Sequence, residues 1–294
     1  MTLHRSPTPV LGVLMLDTRF PRPPGDIGNA ATFADSPFAV RLRVVAGAFP
    51  AAAVRSDDPA LLGPFIAAGR DLVREGAVAL TTSCGFLARW QREQQAALPV
   101  PVWSSALLAL PGLPRPGVIT IEAASLTPAH FEGVGADTAT PVEGITPGSA
   151  LHRTLLEDLP ELDLADAELQ VVAAGLRLLA RHPQVQTLLL ECTNLPPYAA
   201  ALQAATGRPV HHIVSLLHGR MAALAALGAP ATPDPAAPTA PGLRRSPPAR
   251  PAARPARRGQ IDERDDPTLA SSGSTAAAPS QTSSAGARTA RWPR

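Results

Sequence analysis

The sequence contains no lysine, so all 26 of its basic side chains are arginines. A pyridoxal phosphate enzyme needs a lysine to form its Schiff base, and a Walker-type phosphate loop needs one to hold nucleotide phosphates. The absence of lysine therefore excludes both classes.

Long apolar runs are also missing, because the stretch 10–16 ends at Asp17 and no segment approaches the length of a membrane span. With two cysteines in 294 residues, the chain is not a disulfide-rich secreted scaffold. We therefore expect a cytoplasmic location, reduced thiols and no membrane partner.

Large apolar residues become scarce after Gly228, where alanine, proline, arginine and serine dominate. Such a composition cannot bury enough surface to offset the entropy of ordering, so 229–294 is predicted to be a disordered C-terminal tail. This tail carries ten arginines against five acids, which leaves the rest of the chain at a net charge of −3. We expect no nucleic-acid partner, because the folded part is acidic and the tail arginines are interrupted by proline and alanine.

Short apolar runs alternate with helical patterns through the first half of the folded part. Predicted strands at 10–16, 42–46, 78–80 and 100–103 are separated by helical segments, one of which starts at Asp58-Pro59 with a capping residue followed by proline. The order repeats after a proline-rich break at 111–116. The sequence thus predicts an α/β fold with two pseudo-symmetric parallel-sheet halves and the active site between them.

We place the first half at 1–113 and the second at 114–212. A final helix at about 213–228 closes the folded part, and whether it packs back on the first half stays open.

Cys84 and Cys192 are both predicted to lie at the carboxyl end of a strand, where a helix begins. Ligands of open α/β sheets bind at this edge, and N–H groups at a helix start favour a thiolate or a bound carboxylate. The two residues are 108 positions apart, close to half of the folded part, so they would face each other from equivalent places in the two halves. The alternative for each is an ordinary buried cysteine. A zinc site is disfavoured, because neither has a second cysteine or histidine at ligand spacing.

Three segments of the sequence resemble the aspartate/glutamate racemase superfamily, which includes hydantoin racemases and related isomerases. They are Leu80-Thr-Thr-Ser-Cys84-Gly-Phe, Leu189-Leu-Glu-Cys192-Thr-Asn-Leu-Pro-Pro-Tyr and Pro21-Arg-Pro-Pro-Gly-Asp26-Ile-Gly-Asn29. The resemblance implies a racemase of an amino acid or amino-acid derivative that uses no metal and no cofactor. One thiolate would take the α-proton, and the other thiol would return a proton to the opposite face.

The same resemblance implies a set of substrate-binding residues around the catalytic Cys84 and Cys192. Donors near the developing carbanion would stabilise it. Asp17 resembles an acid that orients the substrate or a thiol, although it is equally well explained as a helix cap. The complete predicted set is Asp17, Thr82, Ser83, Gly85, Phe86, Thr193 and Asn194.

Gly85-Phe86 and Asn194 depart from the residues that follow the cysteines in glutamate racemases. These changes argue against glutamate as substrate, and Phe86 indicates either a less polar pocket or a core aromatic. At most one of His211 and His212 can face the cleft, since neighbours in a strand point to opposite faces. Decarboxylation, cis-trans isomerisation and a non-catalytic ligand-binding role stay open, as does assembly into a homo-oligomer.

Overall fold

Two four-stranded parallel sheets form the centre of the computed structural model, which describes residues 8–228. The predicted tail lies outside the described residues. The first sheet contains β1 (Val10–Met15), β2 (Ala39–Val44), β3 (Ala77–Thr82) and β4 (Val102–Trp103), and the second contains β5 (Pro116–Thr120), β6 (Val142–Gly144), β7 (Thr187–Leu190) and β8 (Val210–His212).

The strand order is the same in both sheets: β2-β1-β3-β4 in the first and β6-β5-β7-β8 in the second. All strand pairs described are parallel. The prediction of an α/β fold with two similar parallel-sheet halves is therefore confirmed.

Helices cover the sheets and connect successive strands, as parallel pairing requires. They are α1 (Pro50–Arg55), α2 (Leu62–Arg74), α3 (Gln91–Ala97), α4 (Pro128–Val134), α5 (Ala150–Leu156), α6 (Leu164–Arg181), α7 (Ala199–Thr206) and α8 (Ile213–Gly228). Within residues 8–228, no helix is both long enough and apolar enough to cross a membrane.

The central strands read as apolar runs because both of their faces are buried. Every residue of β7 is buried, and so is every residue of β1 after Val10. Helices on both sides of a parallel sheet exclude water from both faces, which explains why alternation is absent.

Strand β2 begins and ends earlier than the sequence predicted. It lies at the edge of the first sheet, with Leu42 and Val44 exposed and with Arg43 paired to Asp71 at 3.4 Å. The prediction placed this strand on the apolar run 42–46, but an edge strand is exposed on much of its surface and need not coincide with an apolar run.

The last helix, α8, contacts residues of the first sheet's connecting loops. The Nε2 atom of His218 lies 2.9 Å from the Ser36 hydroxyl, and its ring centroid is 5.3 Å from that of Phe38. Leu217 and Met221 are buried on the same helix. The boundary between the two halves near residue 113 stays a prediction.

Candidate active site

Both cysteines lie just beyond a central strand, at the carboxyl edge of its sheet. Cys84 follows β3 and precedes a 3-10 helix, Gly85–Trp90, whereas Cys192 follows β7. Because β3 and β7 hold equivalent places in the two sheets, the repeat of the fold brings the two thiols to the same cleft.

The two thiols line one cavity of about 20 Å³. Its walls are formed by Leu16, Phe20, Pro50, Val54, Cys84, Gly85, Phe86, Ile121, Leu155, Leu156, Cys192, Thr193 and Asn194. None of these wall residues is charged. The volume suits about one water molecule.

Four of the predicted substrate-binding residues line this cavity: Gly85, Phe86, Thr193 and Asn194. Phe86 is also fully buried, with its ring 5.3 Å from His130 in an edge-on arrangement. The phenyl group thus belongs both to the cavity wall and to the core.

The hydroxyl groups near the cysteines make hydrogen bonds within the protein. Thr82 Oγ1 lies 2.9 Å from the Cys84 carbonyl oxygen, and Ser83 Oγ accepts from the Leu16 amide at 2.8 Å. Thr193 Oγ1 donates to the Ser83 carbonyl at 2.6 Å and so ties the two cysteine loops together. These side chains shape the loops that carry the thiols.

Asp17 lies outside the cavity wall, and its carboxylate accepts from the Gly47 amide at 3.0 Å. His211 and His212 of β8 likewise do not line the cavity of the cysteines. The roles predicted for these three residues therefore gain no support from their positions.

A chain of polar groups leads from Cys192 to a buried ion pair. Cys192 Sγ lies 3.6 Å from Asn194 Oδ1, Asn194 Nδ2 donates to Asp26 at 2.6 Å, and Asp26 pairs with Arg22 at 2.9 Å. Asp26 is 1% exposed, and the Arg22 side chain is 11% exposed. The segment 21–29 resembles the aspartate/glutamate racemase superfamily, but the predicted site did not include Asp26.

Gly25 lets the segment 21–29 approach the second cysteine loop. Its φ is +101°, which L side chains rarely adopt, and a Cβ atom there would lie 2.8 Å from Pro197 Cα. The glycine in this segment therefore brings Asp26 within reach of Asn194.

Burial raises the pKa of both thiols. The pKa of Cys84 rises to about 12 through burial and the nearby Glu191, although the neighbouring backbone amides of Phe86 and Leu87 partly offset the change. The pKa of Cys192 rises well above its usual value for the same two reasons, with an amide of Asn194 acting against them. The N–H groups lower the pKa as expected, but in this closed cavity desolvation is the larger effect.

Glu191 is a second buried acid that sequence reasoning missed. Its side chain is fully buried, and Oε2 accepts from Thr120 Oγ1 at 2.6 Å. The sequence feature that could have revealed it is its position directly before Cys192, since an acidic residue at the end of an otherwise apolar strand is unusual.

Two polar contacts join the halves close to residues that line the cavity. Asp158 accepts from the amide of Phe20 at 3.1 Å, and Arg55 donates to Glu122 at 2.8 Å through Nε. Phe20 lines the cavity, as do Val54 and Ile121, which directly precede Arg55 and Glu122.

Solved structures with a similar fold include allantoin racemase from Pseudomonas fluorescens, with a TM-score of 0.51 and 17% identity over 79% of this chain and 99% of that one. A mutant of arylmalonate decarboxylase in a sulfate-associated form matches with a TM-score of 0.51 and 17% identity over 77% of this chain and 97% of that one. A glutamate racemase isoform from Bacillus anthracis also matches with a TM-score of 0.51 and 17% identity, over 75% of this chain and 82% of that one. The chain has the fold of the aspartate/glutamate racemase superfamily. The predicted resemblance is thus confirmed at the level of the fold.

No protein-family model matches the sequence, but curated relatives do. A dimethylsulfoniopropionate lyase of Durusdinium sp. clade D is 28% identical over 228 residues, covering 69% of this chain and 71% of the relative. Dimethylsulfoniopropionate lyase 5 of Emiliania huxleyi is 26% identical over 244 residues, covering 73% of this chain but 45% of the relative. The chain thus spans less than half of the second relative. All of the similar proteins named here are enzymes, and they include lyases as well as racemases.

Proposed function

We propose that the chain is an enzyme that removes the proton from the carbon next to a carboxylate, with a cysteine thiolate as base and without a cofactor. The reaction that we favour is elimination from dimethylsulfoniopropionate or a similar small sulfonium carboxylate. Racemisation of an amino acid or a derivative is the second candidate.

The observation that carries the proposal is the cavity itself, in which two thiols meet an uncharged, mostly apolar wall. A free amino acid brings an ammonium group, and burying such a group without an acidic partner is costly. Asp17, the acid expected to orient the substrate, is bonded to Gly47 instead. An apolar wall is better suited to a methylated sulfonium than to an ammonium.

Phe20 and Phe86 give this wall two aromatic rings. Aromatic faces attract cations whose charge is surrounded by methyl groups, without the hydrogen bonds that an ammonium needs. The substrate carboxylate would be held by the backbone N–H groups of Gly85 and Thr193, which directly follow the two cysteines. Similarity to lyases at 26–28% identity supports the same choice.

The elimination needs one base and no external reagent. A thiolate accepts the proton from the carbon next to the carboxylate, and the electron pair of that C–H bond forms the new double bond. The bond from the neighbouring carbon to sulfur breaks, and its electron pair leaves with sulfur. The products are acrylate, neutral dimethyl sulfide and a protonated thiol, so atoms and charge balance.

The number of thiols, rather than the apolar wall, supports racemisation, since both Cys84 and Cys192 line one cavity. Inversion needs a base on one face of the substrate and an acid on the other, and two thiols supply both. Elimination makes no such demand on a second thiol.

The test uses the full-length protein with dimethylsulfoniopropionate and, separately, with single enantiomers of amino acids and hydantoins in deuterated water. We expect equal amounts of dimethyl sulfide in the headspace and acrylate in solution. Exchange at the α-carbon of an enantiomer, without elimination, would support the second candidate instead. The double variant Cys84→Ser/Cys192→Ser is the control and should do neither. Absence of both activities in the folded wild-type protein would overturn the proposal.

A further inference from the structure

The side chain of Glu191 occupies a place between the two cysteine loops. It directly precedes Cys192, and its carboxyl lies against Gly85, the residue after Cys84. A Cβ atom at position 85 would overlap both the carboxyl and the main-chain carbonyl of Glu191. Gly85 therefore provides the space in which this acid sits.

The Glu191 carboxyl is fully buried and incompletely hydrogen-bonded. Oε2 accepts from Thr120, whereas no group within residues 8–228 donates to Oε1. A buried carboxylate with one neutral donor is strongly disfavoured relative to the uncharged acid. The site thus favours the protonated form.

We propose that Glu191 is a positioning residue held as a neutral carboxylic acid beside the thiol pair, and that its ionisation suppresses formation of the thiolate. This inference rests on the proposed thiolate chemistry. It adds a regulatory group to the site, because activity would then depend on the charge of a residue that touches no substrate.

Charges around the site support the direction of this effect. Burial raises the pKa of Glu191 to about 7, and the negative charge that appears above this pH raises the pKa of both cysteines. The other charged groups acting on the pair are Arg22, which lowers the pKa of Cys84, and Asp26, which raises that of Cys192. These two belong to one ion pair, so Glu191 is the acid near the thiols that lacks a cationic partner within residues 8–228.

The central experiment compares Glu191→Gln with the wild-type protein by thiolate absorbance. The sequence has only two cysteines, so the absorbance change near 240 nm, corrected with the double serine variant, reports this pair alone. Glutamine keeps the shape of the acid but cannot ionise. We expect the thiolate midpoint of Glu191→Gln to fall by about one pH unit or more, because a like charge is removed.

Glu143→Gln is the matched control. Glu143 is also a buried glutamate, but it is paired with Arg177 at 3.0 Å and does not line the cysteine cavity. Its replacement should leave the thiolate midpoint unchanged.

Thr120→Val provides a second variant that leaves Glu191 in place. Loss of the hydroxyl removes the hydrogen bond that lowers the pKa of Glu191, so this carboxyl should ionise at a higher pH. Carbon-13 spectra of the glutamate carboxyls, assigned by the signal lost in Glu191→Gln, measure that midpoint directly. We expect a midpoint near 7 in the wild-type protein and a higher one in Thr120→Val.

Stability gives a readout that does not depend on substrate. The pKa of Glu191 is raised from its ordinary value of 4.5, so the folded state holds this proton more tightly than the unfolded state. Stability should therefore fall as pH rises from about 4.5 to 7 in the wild-type protein, and Glu191→Gln should lose this part of the dependence.

The outcomes separate this inference from the proposed function. A shifted thiolate midpoint in a protein that turns over none of the substrates supports the role of Glu191 while the proposed function fails. An unchanged midpoint in Glu191→Gln, or a Glu191 signal that titrates near 4.5, overturns the inference even if the enzyme eliminates dimethyl sulfide.

Discussion

The two cysteine loops have equivalent places in the fold but different surroundings. The backbone amides of Phe86 and Leu87 lower the pKa of Cys84, whereas the amide of Asn194 alone acts in this way on Cys192. Repetition of the fold therefore fixes where the thiols lie without making them alike.

The charged neighbours increase this difference. The Arg22 side chain favours the thiolate of Cys84, whereas Asp26, its ion-pair partner, disfavours that of Cys192. Under the proposed thiolate chemistry, these surroundings predict that Cys84 ionises before Cys192 and is the base.

Replacement of each cysteine by serine is the strongest test of this comparison. Cys84→Ser should lower elimination by at least about 100-fold, because a serine hydroxyl is a far weaker acid than a thiol. Cys192→Ser should reduce elimination less. Both variants should lose racemisation, and each should exchange the α-proton of the opposite enantiomer in deuterated water. Thermal unfolding checks that they remain folded. Two folded variants with wild-type rates would show that neither thiol is a base.

Asp26→Asn tests the polar chain that distinguishes the second loop. Arg22 would remain largely buried without its partner, so the free energy of unfolding should fall by about 3 kcal/mol in urea titrations. Glu157→Gln is the control, because it removes another i,i+4 ion pair, with Arg153, whose side chains are both about half exposed. That change should cost less than about 0.5 kcal/mol. Equal effects of the two substitutions would contradict the structural role of Asp26.

Arg55→Gln tests the contact that Arg55 and Glu122 make between the halves. Hydrogen bonding by Arg55 lowers the pKa of Glu122 to about 2, so the pair stabilises the folded state above pH 4.5 and this contribution is lost as pH falls toward 2. Because Arg55 is 51% exposed, we expect a loss below about 1 kcal/mol at pH 7 that shrinks by pH 3. Urea titrations at the two pH values measure it, and an equal loss at both would count against the ion pair.

Local sequence patterns were enough to predict the two halves of the fold and that Cys84 and Cys192 meet in one cleft. The buried runs of β1, β3, β5 and β7 have no polar alternation, which marks strands covered on both faces. Because one cysteine follows β3 and the other follows β7, the sequence also predicted that the site lies at the carboxyl edge of the two sheets. Helix α5 was missed because it is a seven-residue helix that is buried by contacts with α6 and α1, which lie elsewhere in the chain.

The sequence by itself determined the α/β repeat, the spacing of Cys84 and Cys192 and the exclusion of lysine-dependent chemistry, because these follow from composition and from periodicity along the chain. Only the tertiary structure decided that Asp26 reaches Asn194, that Asp17 is bonded to Gly47 and that Glu191 lies against Gly85. The physical reason is that burial and charge at the thiols depend on residues up to 168 positions apart in the chain, which only folding brings into contact.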